Sequence, residues 1–258
     1  MALNKESRSY IFTMAVVLCI ACSIVVSGAA VSLRSQQEKN QLLDQRANVL
    51  NVVGLYRKGM DVNETFNERI ETKVIDLDTG EEVSGVDPAA YDMFKAAKQS
   101  GSNVTLSSEQ DIAGIGSIPK KAIVYVVRDP QGEVLNYVFP VAGYGLWSTM
   151  YAYVAVQADG NTIDGITFYD HGETPGLGGE ISNPKWQQQW DGKEIYNEDG
   201  EPSFRLVKGG VEPQKPGSEH KVDALSGATL TSNGVTNLMQ FWFSDMGYKS
   251  FIERHARG

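Results

Sequence analysis

Between Tyr10 and Leu33 the chain runs 24 residues without a charged side chain, YIFTMAVVLCIACSIVVSGAAVSL. A helix of that length, rising about 1.5 Å per residue, crosses a hydrocarbon core about 30 Å thick. Ser27-Gly28-Ala29 would serve as a signal-peptide cleavage site, yet the run exceeds the apolar core of about 7–15 residues that such peptides use. The favoured reading is one uncleaved transmembrane helix at 10–33, with 1–9 a short cytoplasmic N-terminus. Lys5 and Arg8 precede the span, and Arg34 just after it is partly offset by Glu38. That weak positive-inside bias puts residues 34–258 on the far side of the membrane. Cys19 and Cys22, the two cysteines of the chain, both lie in the span. They read as polarizable packing residues rather than half of a metal site shared with a partner helix. No disulfide or thiolate metal site can form beyond them.

Past the span the charge is acidic. With Lys5, Glu6 and Arg8 set aside, 21 basic and 31 acidic side chains remain in 34–258. Nucleic acid is therefore an improbable partner, because its readers need a basic face to release counterions. Leu42, Leu43, Ala47, Leu50 and Val53 recur at helical spacing over 34–58, and a short helix is expected at 62–70. The stretch VIDLDTGEEV reads as strand, turn, strand about Asp78-Thr79-Gly80. A lone Asp-Thr-Gly is a turn and not half of a proteolytic dyad, since no second copy shares its proton. A helix is expected from Pro88 to Lys98 and a Gly- and Ser-rich loop over 100–119. Strands are expected at Ala122–Arg128, Val134–Val141, Tyr151–Gln157 and Thr162–Tyr169, with a further one at Phe204–Val207. The final helix, from about Gly227 to Met246, would bury Val235, Leu238, Met239, Trp242 and Met246. The fold class is α+β: an antiparallel-rich sheet with flanking helices, preceded by one transmembrane helix.

Much common chemistry is missing. There is no G-x-S-x-G elbow, no phosphate-binding G-x-x-x-x-G-K-[ST] loop and no G-x-G-x-x-G fingerprint, and His171, His220 and His255 show no ligand spacing. No catalytic residue and no metal ligand is assigned. Three segments look built for a ligand. In Tyr169–Glu180, Gly172, Gly176, Gly178 and Gly179 allow backbone N–H groups to approach a bound group, with His171, Glu173 and Thr174 beside them. An ordinary surface turn explains the same composition. In Asp223–Gly234, small residues leave the start of the last helix open, where unpaired N–H groups favour phosphate. A plain N-cap at Ser226 is the simpler alternative. Gly143–Ser148 pairs backbone freedom with the aromatic face of Trp147, or is a tight turn with Trp147 in the core.

Asp223-Ala-Leu-Ser226-Gly227-Ala228-Thr229 resembles the D-x-x-[ST]-G-A-T flavinylation motif. With Gly-Leu-Trp-Ser at 145–148, Gly-Glu-Thr-Pro-Gly-Leu-Gly at 172–178 and the N-terminal anchor, the pattern is similar to the C subunit of the bacterial sodium-translocating NADH:quinone reductases. The resemblance implies FMN held covalently through a phosphoester to Thr229. It places Trp147, Thr174, Pro175, Leu177 and Gly178 around the flavin ring, with Glu173 among the binding residues. Ser226, Gly227, Ala228 and Thr231 would surround the phosphate and ribityl chain. It further implies the other reductase subunits as partners, a flavin transferase during maturation, and a single-pass protein of the bacterial inner membrane whose bulk is periplasmic. Its expected role is to relay electrons from NADH toward quinone without binding NADH itself. The G subunit of an Rnf-type electron-transport complex, which shares the motif, is the alternative within the flavin class. A membrane-anchored module gripping a non-redox ligand is the alternative outside it.

Overall fold

The computed structural model describes residues 7–256, so Lys5 and most of the N-terminal segment 1–9 lie outside the described residues. The chain forms two compact units, one up to Gln45 and one from Arg46 onward. Helix α1 (Arg8–Val52) makes the expected span and the expected helix after it one continuous element. Its apolar side chains from Ile11 to Leu33 are exposed, and among the described residues it alone is long and apolar enough to cross a membrane. Arg34 and Glu38 pair at 3.0 Å one turn apart, where the sequence changes from apolar to polar. The helix stops at Val52 rather than near Lys58. Gly54 takes φ +66°, and the N–H groups of Leu55 and Tyr56 both return to the Leu50 carbonyl, closing the C-terminus as glycine caps do.

The second unit is built on one five-stranded sheet in the order β1 (Ile70–Asp76), β4 (Lys121–Arg128), β5 (Val134–Tyr144), β6 (Thr149–Gln157), β7 (Ile163–Asp170). Every neighbouring pair in it is antiparallel. The outer end of β1 is preceded by α2 (Val62–Arg69), whose first N–H groups are capped by the Asp61 carboxylate. Residues 122–127 of β4 are all buried, so both faces of the sheet are covered. Register separates them: Tyr125 lies opposite Val138, which puts Phe139 on the other face. On one side Tyr125 meets Phe66 of α2 and Tyr153 of β6 edge-on. On the other, Phe139 meets Phe243, Tyr248 and Phe251 from the C-terminal helices and the turn that joins them.

Those helices are α5 (Thr229–Trp242) and α6 (Lys249–His255). The expected helix to Met246 therefore ends a turn early. Gly247 packs directly on the Trp242 backbone with no room for a Cβ, and Tyr248 N–H takes the Trp242 carbonyl, so the chain doubles back. Val235, Leu238, Met239 and Trp242 are buried as expected, whereas Met246 is half-buried beyond the helix. Trp242 Nε1 donates to the Ala142 carbonyl at 2.7 Å and Tyr248 Oη to that of Pro140 at 2.8 Å, which fixes α5 against β5.

Three other stretches depart from expectation. The helix over 88–98 shrinks to α3 (Met93–Ala96), capped by Asp92. The loop at 100–119 contains a small antiparallel pair, β2 (Asn103–Thr105) with β3 (Ser117–Pro119). Region 183–221, where only the strand at Phe204–Val207 is expected, also holds α4 (Pro184–Gln187), and that strand, β8 (Arg205–Val207), pairs in parallel with β9 (Lys221–Asp223). Strands of three residues are too short for an alternation pattern to show. The Asp78-Thr79-Gly80 segment is a turn: Asp76 Oδ1 accepts from the N–H groups of Asp78 and Thr79, and Gly80 takes φ +70°.

Candidate functional site

The three ligand-suited segments leave different elements and converge. Gly145–Ser148 is the turn between β5 and β6, the 171–179 loop follows β7, and residues 224–228 lead from β9 into α5. Their meeting point is a carboxylate. Glu173 Oε1 accepts from the backbone N–H groups of Leu146 and Trp147 at 3.0 and 2.9 Å, and Oε2 accepts the Thr231 hydroxyl proton at 2.5 Å. Glu173 is only 5% exposed and Thr231 1%. Burial pushes the Glu173 carboxyl up, but the hydrogen bonds from Thr231, Trp147 and Leu146 outweigh it and hold the group below its ordinary range. Ser148 adds a further tie, since its Oγ accepts the Gly172 N–H at 2.6 Å and its carbonyl the Gly145 N–H at 2.9 Å.

Around this buried knot the surface is open and apolar. Trp147 is 64% exposed, and Tyr144, Leu146, Leu177 and Leu230 are also exposed. Leu177 Cδ2 stands 3.2 Å from where a Cβ on Gly227 would be, so the 171–179 loop reaches the turn ahead of α5. Gly227 itself needs its lack of side chain, at φ +72°. Thr229 is the first residue of α5 and is exposed, while its neighbour Ala228 occupies the N-cap and offers no side-chain acceptor. The first N–H groups of α5 thus have neither an intrahelical partner nor a capping side chain, the condition that suits an anion. Ser226 is not the cap; it is exposed and two residues upstream. The cap-like work is done instead by Ser232, whose Oγ accepts from Leu225 N–H at 3.0 Å and donates to the Ala228 carbonyl at 2.9 Å, locking the turn.

The site residues expected from sequence therefore divide. Trp147, Thr174, Pro175, Leu177, Ser226, Gly227 and Thr229 are exposed at this end of the fold, whereas Glu173, Gly178, Ala228 and Thr231 are buried. His171 is folded back on its own loop: its Nδ1 accepts the Glu173 N–H at 3.2 Å, which leaves Nε2 to donate to Ser182 Oγ at 2.8 Å. Sequence reasoning singled out none of Tyr144, Leu146 and Leu230, although Leu146 lies within the Gly-Leu-Trp-Ser string and Tyr144 directly before it. It also passed over Ser148 and Ser232, whose bonding becomes visible only once the segments meet.

Comparison with known proteins agrees with this geometry. An FMN-binding domain family matches residues 145–244, which takes in all three segments. The chain is 46% identical to the C subunit of the Na(+)-translocating NADH-quinone reductase of Vibrio alginolyticus, covering 100% of this chain and 99% of the relative. It is 44% identical to the protein of the same name from Yersinia pestis, over 99% of this chain and 96% of the relative. The crystal structure of Shewanella oneidensis NqrC superposes with a TM-score of 0.78 at 37% identity, covering 85% of this chain and 100% of that one. The crystal structure of the corresponding C subunit from Parabacteroides distasonis gives 0.65 at 32% identity, over 85% and 96%. The chain belongs to the family of C subunits of the Na(+)-translocating NADH-quinone reductases.

Proposed function

We propose that this chain is the covalent-flavin electron carrier of its reductase, with FMN joined through its phosphate to Thr229 Oγ1. The observation that carries the reading is the start of α5: an exposed threonine, an uncapped helix N-terminus and an exposed tryptophan held to the same helix through Glu173. The residues suit the group. Uncapped N–H groups and the helix dipole favour a phosphodiester, and Trp147 and Leu177 offer apolar faces to a planar ring. When bound, FMN supplies reversible electron transfer through its ring, and the protein supplies placement and local electrostatics.

Attachment replaces the hydroxyl proton of Thr229 with the flavin phosphoryl group. A threonine hydroxyl is a weak nucleophile without a base. The buried carboxylate of this end of the fold, Glu173, accepts the hydroxyl of Thr231 and not that of Thr229. A flavin transferase therefore belongs to the maturation of this chain, with a flavin dinucleotide as donor: its pyrophosphate bond breaks as the Thr229 Oγ1–P bond forms, and the other nucleotide leaves as its monophosphate with the Thr229 proton. The α1 helix would anchor it in the inner membrane, and Arg8 ahead of the apolar run favours a periplasmic second unit. In the complex, electrons from NADH pass through this flavin toward quinone in company with the other subunits.

Purified chain should be yellow, and its flavin should stay with the polypeptide through denaturing electrophoresis. Thr229→Ala should abolish the fluorescent band while circular dichroism shows the fold retained. A band of undiminished intensity in the variant would move the attachment elsewhere, with Ser226 the nearest exposed hydroxyl in the motif.

A further inference from the structure

Two glycines of the motif segments lack the usual reason for being glycine. Gly145 and Gly178 are not among the residues with left-handed φ, so neither needs glycine's backbone freedom. Both make room for Glu173. A Cβ on Gly145 would stand 2.5 Å from Glu173 Oε1 and 2.8 Å from its Cδ. One on Gly178 would stand 2.7 Å from Glu173 Oε2 and 2.5 Å from Thr231 Oγ1. Any side chain at either position must displace the carboxylate or the helix.

Both oxygens of the carboxylate are engaged where it sits. It receives two backbone donors from the β5–β6 turn and one hydroxyl from the first turn of α5, and it belongs to a third segment, the loop after β7. Residues 146 and 231 lie 85 positions apart in the sequence, and no other hydrogen bond joins that turn to the start of α5 among the described residues. We propose that Glu173 is a positioning residue: its carboxylate pins the Leu146–Trp147 backbone to Thr231 of α5, setting the placement of Trp147 relative to Thr229 before any cofactor is attached. The purpose of that placement rests on the FMN reading above. The clamp itself does not.

The substitutions separate shape from charge. In Glu173→Gln the amide oxygen replaces Oε1 as acceptor for Leu146 and Trp147. Its NH2 then faces Thr231 Oγ1, and that hydroxyl rotates to accept, because a threonine hydroxyl serves either role. Glu173→Ala leaves all three donors unpaired. Gly178→Ala keeps Glu173 but drives it from its seat.

The test uses the full-length chain in detergent carrying Thr229→Ala, so that no flavin contributes. Hydrogen exchange is followed in the peptide containing Leu146 and Trp147, with peptides of β4 and β5 as the fold control. Glu173→Ala and Gly178→Ala should each speed exchange at those two amides by about tenfold or more, the effect of losing one hydrogen bond's worth of protection. Glu173→Gln should restore protection, and β4 and β5 should be unchanged. In the flavin-loaded chain, visible circular dichroism of the flavin should fall in Glu173→Ala and persist in Glu173→Gln. Unchanged exchange in Glu173→Ala, failure of Gln to restore protection, or unchanged dichroism in Glu173→Ala overturns the proposal. Should Glu173→Ala open the sheet as well, Gly178→Ala must open the turn and Glu173→Gln must keep it closed. Absence of flavin from Thr229 would sink the cofactor reading and leave these flavin-free exchange rates standing.

Discussion

Gly143→Ala should destabilise the protein, although local propensity argues the other way. Gly143 is a strand residue without left-handed φ, and alanine in a strand interior is intrinsically preferred to glycine by roughly 0.5–1 kcal/mol. The opposing effect comes from α5. A Cβ on Gly143 would stand 2.7 Å from Leu238 Cβ, 3.2 Å from its Cδ1 and 3.3 Å from its Cγ. Carbon atoms rest at about 3.5–4.0 Å, so the helix must retreat by roughly 1 Å. Retreat is resisted, because Trp242 on the same helix is bonded to the Ala142 carbonyl beside the substitution. Overpacking of this kind costs about 1–3 kcal/mol, and its central value of about 2 leaves a net loss of about 1–1.5 kcal/mol once propensity is credited. For a domain of this size that lowers Tm by about 2–6 °C. Calorimetry of the full-length chain in detergent, flavin-free, measures it directly. A Tm equal to or above that of the parent would refute the close approach of α5 to β5 on which the placement of Thr229 depends.

Other outcomes follow from the same geometry. Leu177→Lys should retain covalent flavin and raise its midpoint potential, since a cation beside the ring favours the anionic reduced form; a charge about 4 Å away in water is worth about 1 kcal/mol, or roughly 20 mV for two electrons. An unshifted midpoint in a redox titration would place the 171–179 loop away from the ring. Glu173 is held below its ordinary value of 4.5, so its contribution to stability is full above the unfolded pKa and is lost as pH falls through the folded one. The wild type's advantage over Glu173→Gln in urea midpoint should therefore be present at pH 7 and shrink as pH falls below 4.5; an advantage that grows on acidification would reverse the sign. A reporter fused at the C-terminus and active only outside the cytoplasm should work, whereas activity of a cytoplasm-only reporter there would invert the topology.

How much of this was legible in the sequence depended on whether the determining contacts were local. Strands β4 to β7 show as alternating or continuous apolar runs between turn residues, and each lies within a few residues of its expected position. The buried stripe of α5 is readable from Val235 to Trp242, but not its end, because the break is set by Gly247 packing on the Trp242 carbonyl. Region 183–221 gave no signal beyond the strand at Phe204–Val207, since its other short elements are held by distant partners: Trp190 stacks on Phe204 at 4.4 Å, and Trp186 Nε1 donates to the Asp223 carbonyl at 2.8 Å. At the site, the motif segments were visible as strings, while the reason for some of their residues was not. Of the four glycines in 172–179, only Gly176 takes a left-handed φ, at +76°. Gly178 is small because Glu173 and Thr231, 58 residues apart, meet beside it. No spacing rule along one chain reports a contact of that range.

Covalent FMN on Thr229 is tested most directly by mass spectrometry. The full-length chain is expressed with and without a flavin transferase, denatured, weighed intact and then fragmented. The expected result is a gain of one FMN less one water only when the transferase is present, with the added mass confined to Thr229 and absent from Thr229→Ala. An unmodified mass from transferase-containing cells, or the added mass on any other residue, would contradict it.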